Sequence, residues 1–147
     1  MFIRPVKPSD RDSWLCMRDA LWPEPARAHA GEINRYFAGE VREPLEVLMA
    51  FDERGTGMGF VELSIRAYAE GCKTDRVAFV EGWYVDANER GYGVGAALIG
   101  AAEMWARSQG CTEIASDTEV ENLASAAAHR AVGFEETAVV RCFRKSL

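Results

Sequence analysis

The segment that most constrains the fold is VAFVEGWYV, residues 77–85. All but Glu81 and Gly82 are apolar, and regular alternation puts Val77, Phe79, Trp83 and Val85 on one face and Ala78, Val80 and Tyr84 on the other. A strand apolar on both faces belongs inside a sheet that is covered on both sides. Shortly after it, RGYGVG at 90–95 supplies a glycine-rich turn. A helix is read over 95–109, with Leu98, Ala102 and Trp105 on one stripe and Gly110 as its stop. A buried strand that passes through such a turn into a helix is the nucleus of an α/β fold.

The flanking patterns supply the rest of the sheet. Residues 2–4 read as a short strand before a turn at 5–9. Ser9 followed by Asp12 resembles an N-cap with an acidic first turn, and Trp14, Met17 and Leu21 follow at helical spacing until Pro23 and Pro25 end the helix. A second helix is read over 29–41. The apolar runs 45–51 and 58–65, joined by the turn-rich DERGTG, form a hairpin, and 68–76 is a polar loop. Residues 113–116 read as a short strand, 122–132 as an Ala-rich helix stopped by Gly133, and 137–145 as a closing strand. The expectation is a mixed α/β single domain over residues 1–147.

Composition narrows the setting. A chain of 147 residues, 48% apolar and 27% charged, can bury a core without a metal or disulfide staple. Seventeen basic against 23 acidic side chains give a net charge of −6, which disfavours nucleic acid because phosphate binding needs a basic face. Cys16, Cys72, Cys111 and Cys142 are scattered, with no C-x-x-C pair, so neither zinc nor a disulfide framework is expected. The longest weakly polar stretch, 94–102, falls short of the roughly 20 residues of a membrane span. With a charged opening, MFIRPVKPSDR, the expectation is a cytoplasmic protein with reduced thiols and no membrane partner.

In the 90–95 turn, glycines leave backbone N–H groups uncovered, and the helix start adds partial positive charge, so the turn suits an anionic phosphate. It is neither G-x-G-x-x-G nor a P-loop, which disfavours dinucleotides and nucleoside triphosphates. The pattern Arg90-x-x-Gly93-x-Gly95, followed by Asn122, a helix and Gly133-Phe134, resembles the GNAT N-acetyltransferases over nearly the whole chain. The resemblance implies a GNAT-like domain, with a central mostly antiparallel sheet flanked by helices, and acetyl-CoA as co-substrate without a metal. It also implies that the backbone of Trp83, Tyr84 and Val85 pairs with the pantetheine arm, as an added strand does. On the same basis Arg90, Gly91, Tyr92, Gly93, Val94, Gly95 and Ala96 would hold the pyrophosphate, and the Asn122 side chain the pantetheine region.

Five blocks, LW at 21–22, SIRAY at 64–68, FVEGWYV at 79–85, CTEIASD at 111–117 and HRAVGFEET at 129–137, are similar to the small, dimeric branch of the aminoglycoside 6'-N-acetyltransferases. That similarity implies a homodimer that acetylates the 6'-amine of an aminoglycoside antibiotic, with Trp22, Tyr68, Glu81 and Asp117 lining the aminosugar pocket. An acidic residue that follows EET in some of that group is Ala138 here, so the contact falls to Glu136 or is absent.

Each of these residues also has a plain structural reading. Glu81, a carboxylate in an apolar strand, needs a partner; it is either a base that takes the amine proton, directly or through water, or half of an ion pair with Arg66 or Arg76. Asp117 either holds a second ammonium group or caps the next helix, with Ser116 and Thr118 as competitors. Trp22 and Tyr68 either pack in the core or meet the sugar. His129 stands where many GNAT enzymes carry the tyrosine that protonates the departing thiolate, and is either that donor or a hydrogen-bonded helix residue. His29 is expected at the surface or in a local hydrogen bond. Glu119, Glu121, Glu135 and Glu136 would surround the pocket and draw in a polycation. Two alternatives stay open: an acetyltransferase for another small amine or a protein N-terminus, and a non-catalytic acyl-CoA-binding sensor.

Overall fold

A computed structural model describes residues 1–24 and 28–147. In chain order the elements are β1 (Phe2–Pro5), α1 (Arg11–Leu21), α2 (His29–Phe37), β2 (Glu46–Phe51), β3 (Gly57–Arg66), β4 (Val77–Val85), α3 (Val94–Ser108), β5 (Ile114–Ser116) and α4 (Leu123–Ala131). The sheet runs β1-β2-β3-β4-β5, antiparallel except between β4 and β5, which are parallel. The α3 crossover returns the chain so that β5 can run alongside β4.

Each face of the sheet carries its own core. Leu98, Ile99 and Ala102 of α3 pack on Leu48, Val61, Leu63 and Val80. On the opposite face Trp14, Met17 and Ile33 of α1 and α2 meet Val47, Met49 and Phe60. Burying a large apolar side chain in this way contributes about 1.5–3 kcal/mol.

The alternation along β4 breaks at one residue. Glu62 pairs with Gly82 and Leu63 with Val80, so Glu81 is an extra residue bulged out of the ladder. Val80, Trp83 and Val85 consequently pack on the α3 side, while Tyr84 packs with Phe60 on the α1 side. Regular alternation placed Trp83 and Val85 beside Val77 and Phe79. That assignment fails beyond residue 81, because one inserted residue reverses every side chain after it.

Other boundaries also shift. Ser9 does not cap α1; it sits in a helical turn, Pro8–Asp10, and the helix starts at Arg11. Asp10 instead accepts from the Lys7 backbone N–H at 2.7 Å and from the Arg4 guanidinium at 2.7 and 3.1 Å. That pairing holds its carboxyl below the usual range, the Arg4 hydrogen bond being the main cause. Helix α1 ends before Pro23, and Pro25 lies outside the described residues. Helix α2 stops at Phe37 rather than 41, because Gly39 turns the chain at φ +73°.

No strand forms over 137–145, against expectation. The Thr137 hydroxyl donates to the Glu70 carbonyl at 3.1 Å, and beyond it Val139, Val140 and Phe143 are exposed. Among the described residues no strand pairs with this stretch, so its weak alternation does not become a strand.

Candidate active site

Strands β4 and β5 stay together only from Ala78↔Ile114 to Val80↔Ser116. Past Val80, β4 continues through Glu81 to Val85 with β3 on one side and no strand on the other among the described residues. The sheet therefore opens into a wedge with Ser116 at its apex and the bare edge of β4 as one wall. An extended polar ligand can satisfy backbone groups along such an edge.

The wedge leads to the glycine-rich turn. Gly91 and Gly93 have φ of +84° and +86°, where a side chain is strained, and an added Cβ at either would meet nothing within 4 Å. Gly95 is small for a different reason: an added Cβ would lie 3.2 Å from Trp83 Cζ2. The first intrahelical bond of α3 runs from Ala97 N to Gly93 O, so the N–H groups of Val94, Gly95 and Ala96 have no partner within the helix. Arg90 folds back, its Nε donating to the Val85 carbonyl at 2.9 Å with the guanidinium 5.7 Å from the Tyr84 ring centroid. Tyr92 stands exposed beside these donors.

Glu81 has the partner its position demanded. Its Oε1 accepts from Arg66 Nε at 3.0 Å and from the Ser64 hydroxyl, and its Oε2 accepts from Arg66 Nη2 at 2.7 Å. Of the two arginines weighed, Arg66 is the partner; Arg76 donates to the Gln109 carbonyl instead. The Arg66 guanidinium also lies 3.5 Å over the Phe79 ring. Its pKa is raised, first by the Glu81 hydrogen bond and further by the charges of Glu81, Asp117 and Glu43. Asp117 is exposed and makes no hydrogen bond among the described residues. It does not cap α4: Asn122 does, its Oδ1 accepting from Ser125 N at 3.0 Å. The cap leaves the Asn122 side-chain NH₂ as a donor.

Trp22 follows the end of α1 and covers the β4 bulge. An added Cβ on Gly82 would lie 2.6 Å from Trp22 Cη2. His29 is buried rather than at the surface, 4% exposed; it stacks on Trp22 at 6.2 Å and its Nε2 meets the Trp22 carbonyl at 2.9 Å. Trp22, Glu81 and Asp117 thus gather around Gly82 and Arg66. Tyr68 lies in the loop after β3, 66% exposed, its hydroxyl pKa raised chiefly by the charge of Glu70. Glu136 is exposed and paired with Arg130 at 2.7 Å.

His129 uses both ring nitrogens. Nδ1 lies 2.7 Å from the Ser125 carbonyl and Nε2 lies 2.8 Å from the Ser116 hydroxyl, with Trp83 and Phe134 edge-on at 5.1 and 5.3 Å.

A further charged cluster went unread in the sequence. Glu62, opposite Gly82 in the ladder, is 1% exposed and accepts from Trp14 Nε1 at 3.0 Å, with Arg18 Nε at 2.9 Å and Arg18 also paired to Glu32. Its signal was present: a carboxylate in an apolar run, with Trp14 and Arg18 one helical turn apart. This cluster ties α1, and hence Trp22, to the strand beside the bulge.

The model of the acetyltransferase (GNAT) family matches residues 12–134. A Klebsiella aerogenes protein named aminoglycoside N(6')-acetyltransferase type 1 is 53% identical over 146 residues, covering 99% of this chain and 96% of that one. A Stenotrophomonas maltophilia protein of the same name is 40% identical, with 99% and 93% covered. The structure of AAC(6')-Iy with the bisubstrate analogue CoA-S-monomethyl-acetylneamine superposes with a TM-score of 0.88 at 36% identity, covering 99% of this chain and 98% of that one.

Proposed function

This chain belongs to the acetyltransferase (GNAT) family, and we propose that it transfers the acetyl group of acetyl-CoA to the 6'-amine of aminoglycoside antibiotics. The observation that carries the reading is the wedge: a bare β4 edge over 81–85 leads to the free N–H groups of 94–96, with Glu81 of β4 and Asp117, next to Ser116 of β5, at its other end. The first two suit the pantetheine and pyrophosphate of acetyl-CoA, and the third suits a polycationic sugar. Backbone groups of Trp83, Tyr84 and Val85 take the pantetheine, Arg90 to Ala96 the pyrophosphate, and the Asn122 amide the pantetheine region.

The amine must bind as a cation yet attack as a free base. Partners divide the work between the two carboxylates. Glu81, already held by Arg66 and Ser64, is a fixed anchor with a lone pair to spare on Oε2. Asp117, exposed and without a hydrogen bond among the described residues, takes the amine proton through water. The adjacent Arg66 guanidinium disfavours a second cation at the reacting nitrogen and so promotes loss of that proton. The amine then attacks the thioester at the wedge apex, a backbone N–H beside the β4 bulge stabilises the oxyanion, and the thiolate departs. Trp22, Tyr68 and Glu136 border the sugar.

Residues 1–147 act as one domain, in the cytoplasm, where acetyl-CoA is available. Val139, Val140 and Phe143, exposed on the 135–147 segment, support a homodimer in which a second copy covers them. The test is thiol release from acetyl-CoA with aminoglycosides that carry or lack a free 6'-amine. Turnover is expected with the first set only. Equal turnover with both overturns the regiochemistry, and acetyl-CoA binding without thiol release identifies a sensor instead.

A further inference from the structure

The departing thiolate needs a proton, and the hydrogen bonds around the wedge provide a route for one. The Ser125 carbonyl can only accept, so His129 Nδ1 at 2.7 Å carries a hydrogen. In the neutral ring Nε2 is then an acceptor, and its partner at 2.8 Å is the Ser116 hydroxyl. Ser116 is the last residue of β5 paired to β4, at Val80, so it sits where the two strands part. His129 lies behind it, between the edges of Trp83 and Phe134.

We propose that Ser116 is a catalytic residue that protonates the coenzyme thiolate, with His129 as the positioning residue that reloads it. The proposal rests on the acetyl-transfer reading above, because the wedge apex is where that reading puts the thioester. When Nε2 is protonated the direction of its hydrogen bond reverses, so that Nε2–H donates to Ser116 Oγ and the Ser116 hydrogen is free to point into the wedge.

The step balances as follows. The amine nitrogen forms a bond to the acetyl carbon and gives one proton to water at Asp117. The carbon–sulfur bond breaks, and the sulfur takes the Ser116 hydroxyl proton. Ser116 takes the Nε2 proton of His129, and the ring recovers one from water. The proton that the bound ammonium loses before attack passes from Asp117 to solvent; from the free amine onward one proton leaves nitrogen and one reaches sulfur, with no oxidant or further reactant.

The experiment compares the full-length wild type with Ser116→Ala, Ser116→Thr, His129→Gln and the Ser116→Ala/His129→Gln double variant, by thiol release with an accepted aminoglycoside. Loss of an acid–base group is expected to lower kcat about 10²-fold in Ser116→Ala and His129→Gln, with KM for acetyl-CoA unchanged. Ser116→Thr, which keeps the hydroxyl, should retain most of kcat, and the double variant should lose no more than either single one. A purely structural pair would instead raise KM, lower the melting temperature and gain nothing from threonine. Ser116→Ala with wild-type kcat overturns the relay alone. A wild-type chain that releases no thiol overturns the acetyl-transfer reading and the relay with it.

Discussion

Replacing Gly82 with alanine probes how tightly Trp22 is packed on β4. The new Cβ would stand 2.6 Å from Trp22 Cη2, 3.1 Å from Cζ2 and 3.4 Å from Leu21 Cδ2. Carbon atoms settle at about 3.5–4.0 Å, so the indole has to retreat by about 1 Å. It has little room to do so, because His29 stacks on the ring and meets the Trp22 carbonyl at 2.9 Å. Gly82 cannot yield either, being paired with the buried Glu62 in the middle of the sheet. Overpacking of this kind costs about 1–3 kcal/mol, a fall in melting temperature of about 2–12 °C for a domain of this size. A 1 Å displacement of a positioning group lowers kcat/KM by up to about 10²-fold. The assays are thermal denaturation and steady-state kinetics with the aminoglycoside varied. Gly100→Ala is the control: Gly100 is exposed on α3 with nothing within 4 Å of an added Cβ. It should stabilise the chain by roughly 0.5–1 kcal/mol and leave kinetics alone. A Gly82→Ala protein with unchanged melting temperature and unchanged kcat/KM would refute the packing argument.

Two further outcomes follow from charges inside the fold. Glu62→Leu leaves the Trp14 N–H without its carboxylate and Arg18 with Glu32 alone, a loss of about 3–5 kcal/mol by urea denaturation; the Arg18→Met/Glu62→Leu double variant should regain part of it, and strictly additive losses would contradict the coupling. Asp10 has a lowered folded-state pKa, so its contribution is complete above the ordinary value of about 3.9 and disappears as pH falls through the lower folded value. Asp10→Asn should therefore flatten the acid limb of a urea midpoint against pH, and an unaltered limb would count against the Arg4 pairing.

The central strand was legible to the residue, because a two-faced apolar run bounded by a polar loop and a glycine turn has few other readings. Its bulge was not: an extra residue leaves composition unchanged and shows only in the pairing of Glu62 with Gly82 and Leu63 with Val80. Glu81 announced its need for a partner, since a carboxylate among valines and aromatics is costly, and Arg66 was one of two candidates. Glu62 went unread because it was absorbed into an apolar run. Of the two places read for His29, the hydrogen bond is found, to the Trp22 carbonyl, and the surface position is not, because the ring is buried in a stack on Trp22. Residues 137–145 alternate as a strand does, yet alternation specifies a face and not a neighbour. The cap of α4 was open between Asp117 and its competitors because several polar residues precede the helix; geometry gives it to Asn122.

A strand with one bare edge is a hazard in most proteins, because the nearest polypeptide can add itself and begin a polymer. The β4 edge past Val80 escapes that outcome through the same features that form the wedge. The bulge breaks the regular spacing that an incoming strand would have to match, and the Glu81–Arg66 pair sets charge at the entrance. What remains is a gap with the hydrogen-bonding capacity of a sheet and without its welcome for another chain. Such a gap suits an extended amide-bearing molecule better than a second copy of the chain.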